Sequence, residues 1–325
     1  MVLCHFGIGN KFVNLKPNAY FHLANLKFLN LLKYFSFGLT IETTIDFGDV
    51  LPFSDHTPNV QIIEGEVLGK ANQLTRICRR GIRAKFGGNS MNCILNWEGV
   101  GKFQIRDGNT IIYQNLGADE GTLKLFILSE VIGLLLFQRG LFLLHGSAIQ
   151  IKSGAYVFLG IPGAGKSTTA AAFWQAGNTI LSDDLVAIQI IDNQAFVIPA
   201  FPQFKIWQNS IDGLKIENTA LKPSFEGAAK FLINQPISTF PQEPILLTKI
   251  FFLYPTNSRK KEGFIHPINA PTELVKHFPV PIQVLKNDLL KQHFSNSLAI
   301  AQSSALIKMK RPASFDLLKK KITEL

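Results

Sequence analysis

Three glycines, a lysine, a serine, two adjacent aspartates and one histidine stand close enough in this chain to do phosphoryl chemistry. The run Gly160-Ile161-Pro162-Gly163-Ala164-Gly165-Lys166-Ser167-Thr168 satisfies the pattern G-x-x-x-x-G-K-[ST] at every fixed position. Glycines without a Cβ let the backbone turn tightly, so that the amides from Gly160 through Ala164 to Thr168 can meet phosphate oxygens. Lys166 adds a cation for the β and γ phosphates and Ser167 a hydroxyl for Mg²⁺. The helix that follows adds the positive end of its dipole. The expected ligands are therefore a nucleotide and Mg²⁺.

Phosphoryl transfer also needs a carboxylate to orient the acceptor hydroxyl and another group on the metal side. Asp183 and Asp184 close the run Thr179-Ile180-Leu181-Ser182, at the strand end where open α/β sheets place ligands. Side chains alternate along a strand, so two consecutive acids suggest divided labour. Asp183 is assigned to the acceptor hydroxyl and Asp184 to the metal. A solvated turn with a helix cap is the competing reading. His145, after the apolar run Leu141–Leu144, can reach the γ-phosphate side from a neighbouring strand; a capping or core histidine is the plainer alternative.

These residues need elements to hold them. Ala155–Leu159 is apolar with aromatic and β-branched members and predicts a buried strand; Thr168–Gln175 predicts a helix with Gly177 as its stop. Strands are also expected at Ala187–Ile191, Ala195–Ile198 and Lys249–Tyr254, with a looser Pro-containing stretch from Pro199 and helical patterns from Pro281. Before them, roughly Tyr34–Tyr113 reads as β-rich: Phe37–Ile41, Val60–Ile63, Ala84–Phe86, Cys93–Leu95 and Gly101–Ile105 alternate between turn signals. Asp119–Gln138 has helical spacing with Asp119 as cap. An amphipathic pattern over Ala19–Leu32 predicts a helix packed on the domain or a poorly ordered extension, with a segment lying on a membrane or a partner as the alternative.

The chain has 325 residues, 46% hydrophobic and 17% charged, with a formal charge of +10. That excludes a disordered chain and favours an acidic or polyanionic partner, although runs such as Arg259–Lys261 and Lys319–Lys321 also read as solvated faces. Cys4, Cys78 and Cys93 make neither a metal pair nor an even disulfide set, which suits a reducing cytoplasm. Val131–Leu144 is interrupted by Gln138 and Arg139, so no transmembrane segment and no export signal are expected.

Leu144–Ile149, Gly160–Thr168 and Leu181–Asp184 together resemble the core of HPr kinase/phosphorylase and its relatives. The resemblance implies a phosphoenolpyruvate-carboxykinase-like P-loop fold and transfer to a protein serine with ATP and Mg²⁺ as cofactors. It gives His145, Lys166 and Asp183 catalytic roles, and Ser167 and Asp184 the metal. Phe37–Glu42, Gln138–His145 and Pro199–Trp207 resemble HPr-kinase-related proteins encoded beside ribosomally made peptides, among them lasso-peptide precursors. The chain departs from the HPr enzyme where a Glu-containing motif would follow the aspartates. Lys205 stands there, leaving the metal shell one carboxylate short. Lys205 and Lys230 are read either as cations for nucleotide phosphates or an acidic peptide, or as surface residues, and Trp207 is read as core.

The expected fold class is α/β: a P-loop kinase domain at 139–325, preceded by a smaller β-rich α+β domain at 34–138 and an extension at 1–33. The expected activity is an ATP-dependent serine kinase acting on a peptide or small protein, such as a natural-product precursor. A catalytically silent nucleotide-binding regulator and a carboxykinase-like small-molecule kinase are the alternatives. Expected partners are ATP and the serine acceptor, without nucleic acid, in a homo-oligomer.

Overall fold

The structure is a computed structural model that describes residues 31–79, 81–217, 221–224 and 229–325. The expected helix over Ala19–Leu32 lies outside the described residues, apart from its last two positions. Strands β1 (Leu32–Ser36) and β2 (Leu39–Thr43) form a hairpin whose turn, Phe37-Gly38, has positive φ at both positions (52° and 70°). Such a turn matches the right-handed twist of the strands it joins. The expected strand at Phe37–Ile41 therefore begins only at Leu39.

β3 (Val60–Glu64) lies parallel to β2. An antiparallel meander follows, made of β4 (Gln73–Arg79), β5 (Ile82–Gly88), β6 (Asn92–Trp97), β7 (Gly101–Arg106) and β8 (Thr110–Asn115). β8 closes against β3, giving the order β1-β2-β3-β8-β7-β6-β5-β4 with β4 at an edge. Residues of β7 alternate between buried and half-buried, as a sheet with one covered face requires.

That face is covered by α1 (Glu120–Phe126) and α2 (Ile132–Gln138). Asp119 caps α1 as expected, accepting from Thr122 N at 2.8 Å. The expected continuous helix is broken by a π-helical turn at Ile127–Val131, where Ser129 has φ −117° and ψ −109°. Ser129 Oγ donates to Leu125 O at 2.8 Å, and its competition with the backbone ladder accounts for the break. Trp97 sits at the centre of this core, edge-on to Phe126 at 4.9 Å and to Phe103 at 5.8 Å.

The second large sheet contains β9 (Phe142–Leu144), β10 (Gly146–Ile151), β11 (Gly154–Leu159), β12 (Thr179–Asp183), β13 (Val186–Ile191) and β14 (Gln194–Ile198). A small sheet follows, formed by β15 (Gln203–Trp207), β16 (Lys222–Pro223) and β17 (Lys230–Asn234), in a stretch expected to be looser. The long β18 (Ile245–Tyr254) then enters the middle of the second sheet, in the order β12-β10-β11-β18-β14-β13-β9. β19 (Gly263–Phe264) and β20 (Ala305–Lys310) extend it.

Helix α3 (Lys166–Gln175) starts two residues before the expected one, and Gly177 takes φ 90° beyond its end. Among the described residues the remaining α-helices are α4 (Gln208–Leu214), α5 (Ala270–Leu274), α6 (Asn287–Ser303) and α7 (Phe315–Thr323). Helices were expected throughout the region after Pro281, but β20 intervenes because it pairs in parallel with β18. That long-range partner leaves no trace in local spacing. The chain is thus mixed α/β with several sheets. Among the described residues no helix is long and apolar enough to cross a membrane.

Candidate active site

Register brings the sequence candidates together. β10 pairs antiparallel with β11 on one side and β12 on the other, with Gly146 opposite Leu159 and Ser147 opposite Asp183. The start of β10 and the ends of β11 and β12 therefore share one rim of the sheet. His145 precedes the first, Gly160–Thr168 follows the second, and Asp183-Asp184 ends the third. All three groups line one cleft of about 1290 Å³.

Local chemistry shapes the loop. A Cβ on Gly160 would come within 2.8 Å of Ala164 Cβ and 2.9 Å of Leu253 O, and Gly165 takes φ 98° beneath the stem of Arg311. A side chain at either position would force the loop apart. Ala164 N donates to Ile161 O at 3.0 Å, closing a turn inside the loop, and Gly163 also has positive φ. Lys166 is only 9% exposed and its Nζ donates to Gly160 O at 3.0 Å. Burial lowers its pKa, while Asp184 and Asp183 oppose that shift. Thr168 Oγ1 is bonded to Ser210 Oγ at 2.7 Å, tying α3 to α4.

The two aspartates have different surroundings. Asp183 Oδ1 accepts from Ser147 Oγ at 2.7 Å and from Ser167 Oγ at 3.0 Å, and Oδ2 accepts from Lys205 N at 3.1 Å. Burial, followed by the charge of Asp184, raises its pKa. Asp184 has φ 68°, and Leu185 N donates to Asp183 O at 2.9 Å, closing a three-residue turn around it. This turn breaks the strand's alternation and lets both acids line one cleft. Burial pushes the Asp184 carboxyl up, but Lys205, Lys230 and Arg79 outweigh it and hold the group well below the usual carboxylate range. Lys205 Nζ lies 3.0 Å from Asp184 Oδ2.

His145 Nδ1 lies 2.9 Å from Asp184 O. A carbonyl only accepts, so Nδ1 carries the hydrogen and Nε2 the lone pair. Burial and then the Lys166 charge lower the pKa of the ring, keeping the neutral form. Its backbone N donates to His277 O at 2.6 Å, and burial pushes the His277 ring down to about 4.

Sequence reasoning placed Trp207 in the core. It is 52% exposed and lies under Lys230 Nζ at 5.6 Å from the ring centroid, since the last residue of β15 leaves the small sheet pointing outward. Three cleft residues had no sequence signal at all: Arg79 from β4, His277 and Arg311. Each reaches the site through long-range packing rather than through any local motif.

No protein-family model and no curated protein matches the chain. Among solved structures it is similar to the Hpr(Ser) kinase/phosphatase from Coxiella burnetii, at 12% identity and a TM-score of 0.31, over 56% of this chain and 92% of that one.

Proposed function

We propose that this chain is an ATP- and Mg²⁺-dependent phosphotransferase of the HPr-kinase-related kind. It would transfer the γ-phosphoryl group to a serine hydroxyl of a peptide or small protein, for which a ribosomally made precursor peptide is the fitting class. The observation that carries this reading is the 3.0 Å bond between Ser167 and Asp183, beside Lys166 and under the glycine loop. A loop serine and a strand-end aspartate are the pair that holds Mg²⁺ in P-loop enzymes.

The donor set fits that ion. Hydroxyl and carboxylate oxygens are hard ligands, and no group of three His, Cys, Asp or Glu side chains forms a metal cage among the described residues. Mg²⁺ needs none, since it keeps waters and leans on substrate phosphates. When bound, it neutralises charge building on the phosphoryl oxygens.

The contacts favour exchanging the roles expected of the two acids. Asp183, bonded to Ser167, belongs with the metal. Asp184, ionised and turned out of the strand, is the group to orient the acceptor hydroxyl. Lys166 and the loop amides hold the triphosphate, and His145 offers its Nε2 lone pair on the same side. Mass spectrometry of serine-containing peptides incubated with Mg·ATP tests the reading. A phosphate on serine is expected; its absence across a serine-peptide library, with the protein folded and Mg·ATP bound, would overturn it.

The Lys205–Asp184 ion pair favours one competitor, a nucleotide-binding regulator without turnover, because it occupies the carboxylate assigned to the acceptor. In that case the chain would bind Mg·ATP tightly without transferring phosphate, and Asp184→Asn would create no difference in transfer.

A further inference from the structure

The N-terminal sheet sends one cation into the cleft. Arg79 ends β4, the edge strand, and lines the same cavity as Gly160, Lys166 and Asp184. Its side chain is 15% exposed, and its Nε donates to Glu130 Oε2 at 2.6 Å. Glu130 belongs to the π-helical turn, and its Oε2 also accepts from Ser129 Oγ at 2.8 Å. A break in a helix that presents a carboxylate to an arginine on another element is an expensive device for a surface ion pair.

Local charge gives it a purpose. Lys166, Lys205, Lys230 and Arg79 line the cleft together with Asp183 and Asp184, and Glu130 lines it beside Arg79. A group of cations in a cleft beside a phosphate loop suits a polyanion. A planar guanidinium held in orientation through Nε suits phosphate oxygens better than a lysine does.

We infer that Arg79 forms a second phosphate subsite, contributed by the N-terminal sheet, which recognises the terminal phosphoryl group of the bound nucleoside triphosphate and is oriented by Glu130. This rests on the nucleotide reading above and adds to it that the site is built from both large sheets. The N-terminal half then helps to distinguish triphosphate from diphosphate.

Calorimetric titration of the full chain with Mg·ADP and with the Mg complex of the β,γ-imido analogue of ATP tests this. Arg79→Ala is expected to weaken the triphosphate analogue by about tenfold or more while leaving ADP within about twofold. Arg79→Lys should recover part of the loss, and Glu130→Gln should show a smaller loss of the same selectivity. Retained ADP affinity reports that the loop is folded, so a purely structural role for Arg79 would weaken both nucleotides together or neither. Either outcome overturns the subsite while leaving the phosphate loop standing. If the unmodified chain binds neither nucleotide, the nucleotide reading fails and the subsite with it.

Discussion

The interior of the N-terminal sheet and the floor of the cleft are built on opposite terms. Around Trp97 the neighbours are aromatic and aliphatic, and little but apolar contact holds them. Around Asp183 and Asp184 lie Ser147, Ser167, Lys205 and His145, each tied by a hydrogen bond or an ion pair. Apolar burial contributes directly to stability. Buried charge costs desolvation that its partners only partly return. Stability should therefore be concentrated in the first region and activity in the second, with Arg79 the residue that crosses between them.

Substitutions can separate the two. The largest expected effect is Lys166→Met, which keeps the stem and removes the buried cation. Phosphoryl transfer to an acceptor should fall by about a thousandfold or more. The thermal midpoint should stay level or rise, because burial already opposes the charged lysine. A large loss of thermal stability would break the contrast. Next comes Trp97→Ala, which empties the centre of the N-terminal core and should cost roughly 3–5 kcal/mol in denaturant unfolding. The transfer rate per folded molecule should be unchanged.

A smaller effect sharpens the comparison through pH. His293 on α6 is buried, stacks on Phe142 at 4.5 Å and edges Phe278; burial pushes its ring down to about 4. An unfolded histidine titrates near 6.5, so between about 6.5 and 4 the unfolded chain binds more protons and stability rises with pH. As pH falls through that window the folded state should lose roughly 3 kcal/mol on this account. Urea unfolding at several pH values checks it, and His293→Leu should flatten that part of the profile. The smallest effect is at a helix cap: Asp119→Ala should cost about 1 kcal/mol, again without changing transfer.

Legibility follows the same division. The glycine loop, the strand before it and the helix after it were readable because each depends on neighbours a few residues away. So was the Asp119 cap. The two aspartates were readable as a pair, but their surroundings were not. Asp183 gains a hydrogen bond from Ser167, and Asp184 is turned by its positive φ and held by Lys205, and none of this follows from spacing. Trp207 was misplaced because an apolar run predicts burial on average, while the end of a small sheet leaves that side chain outside. The π-helical turn escaped notice because Leu125, Ser129 and Glu130 fit helical spacing equally well.

Residue order already dictates where this backbone can bend around an anion, where a strand must precede that bend, and which groups can ligate or deprotonate. Those are short-range consequences of missing Cβ atoms, side-chain type and periodic apolar burial. Pairing of Gly146 with Leu159 and of Ser147 with Asp183 then places three distant segments on one rim, and an edge strand of a separate sheet brings Arg79 to them. Such contacts join residues far apart in the chain and are selected by the packing of whole sheets, so they emerge only when the complete fold has formed.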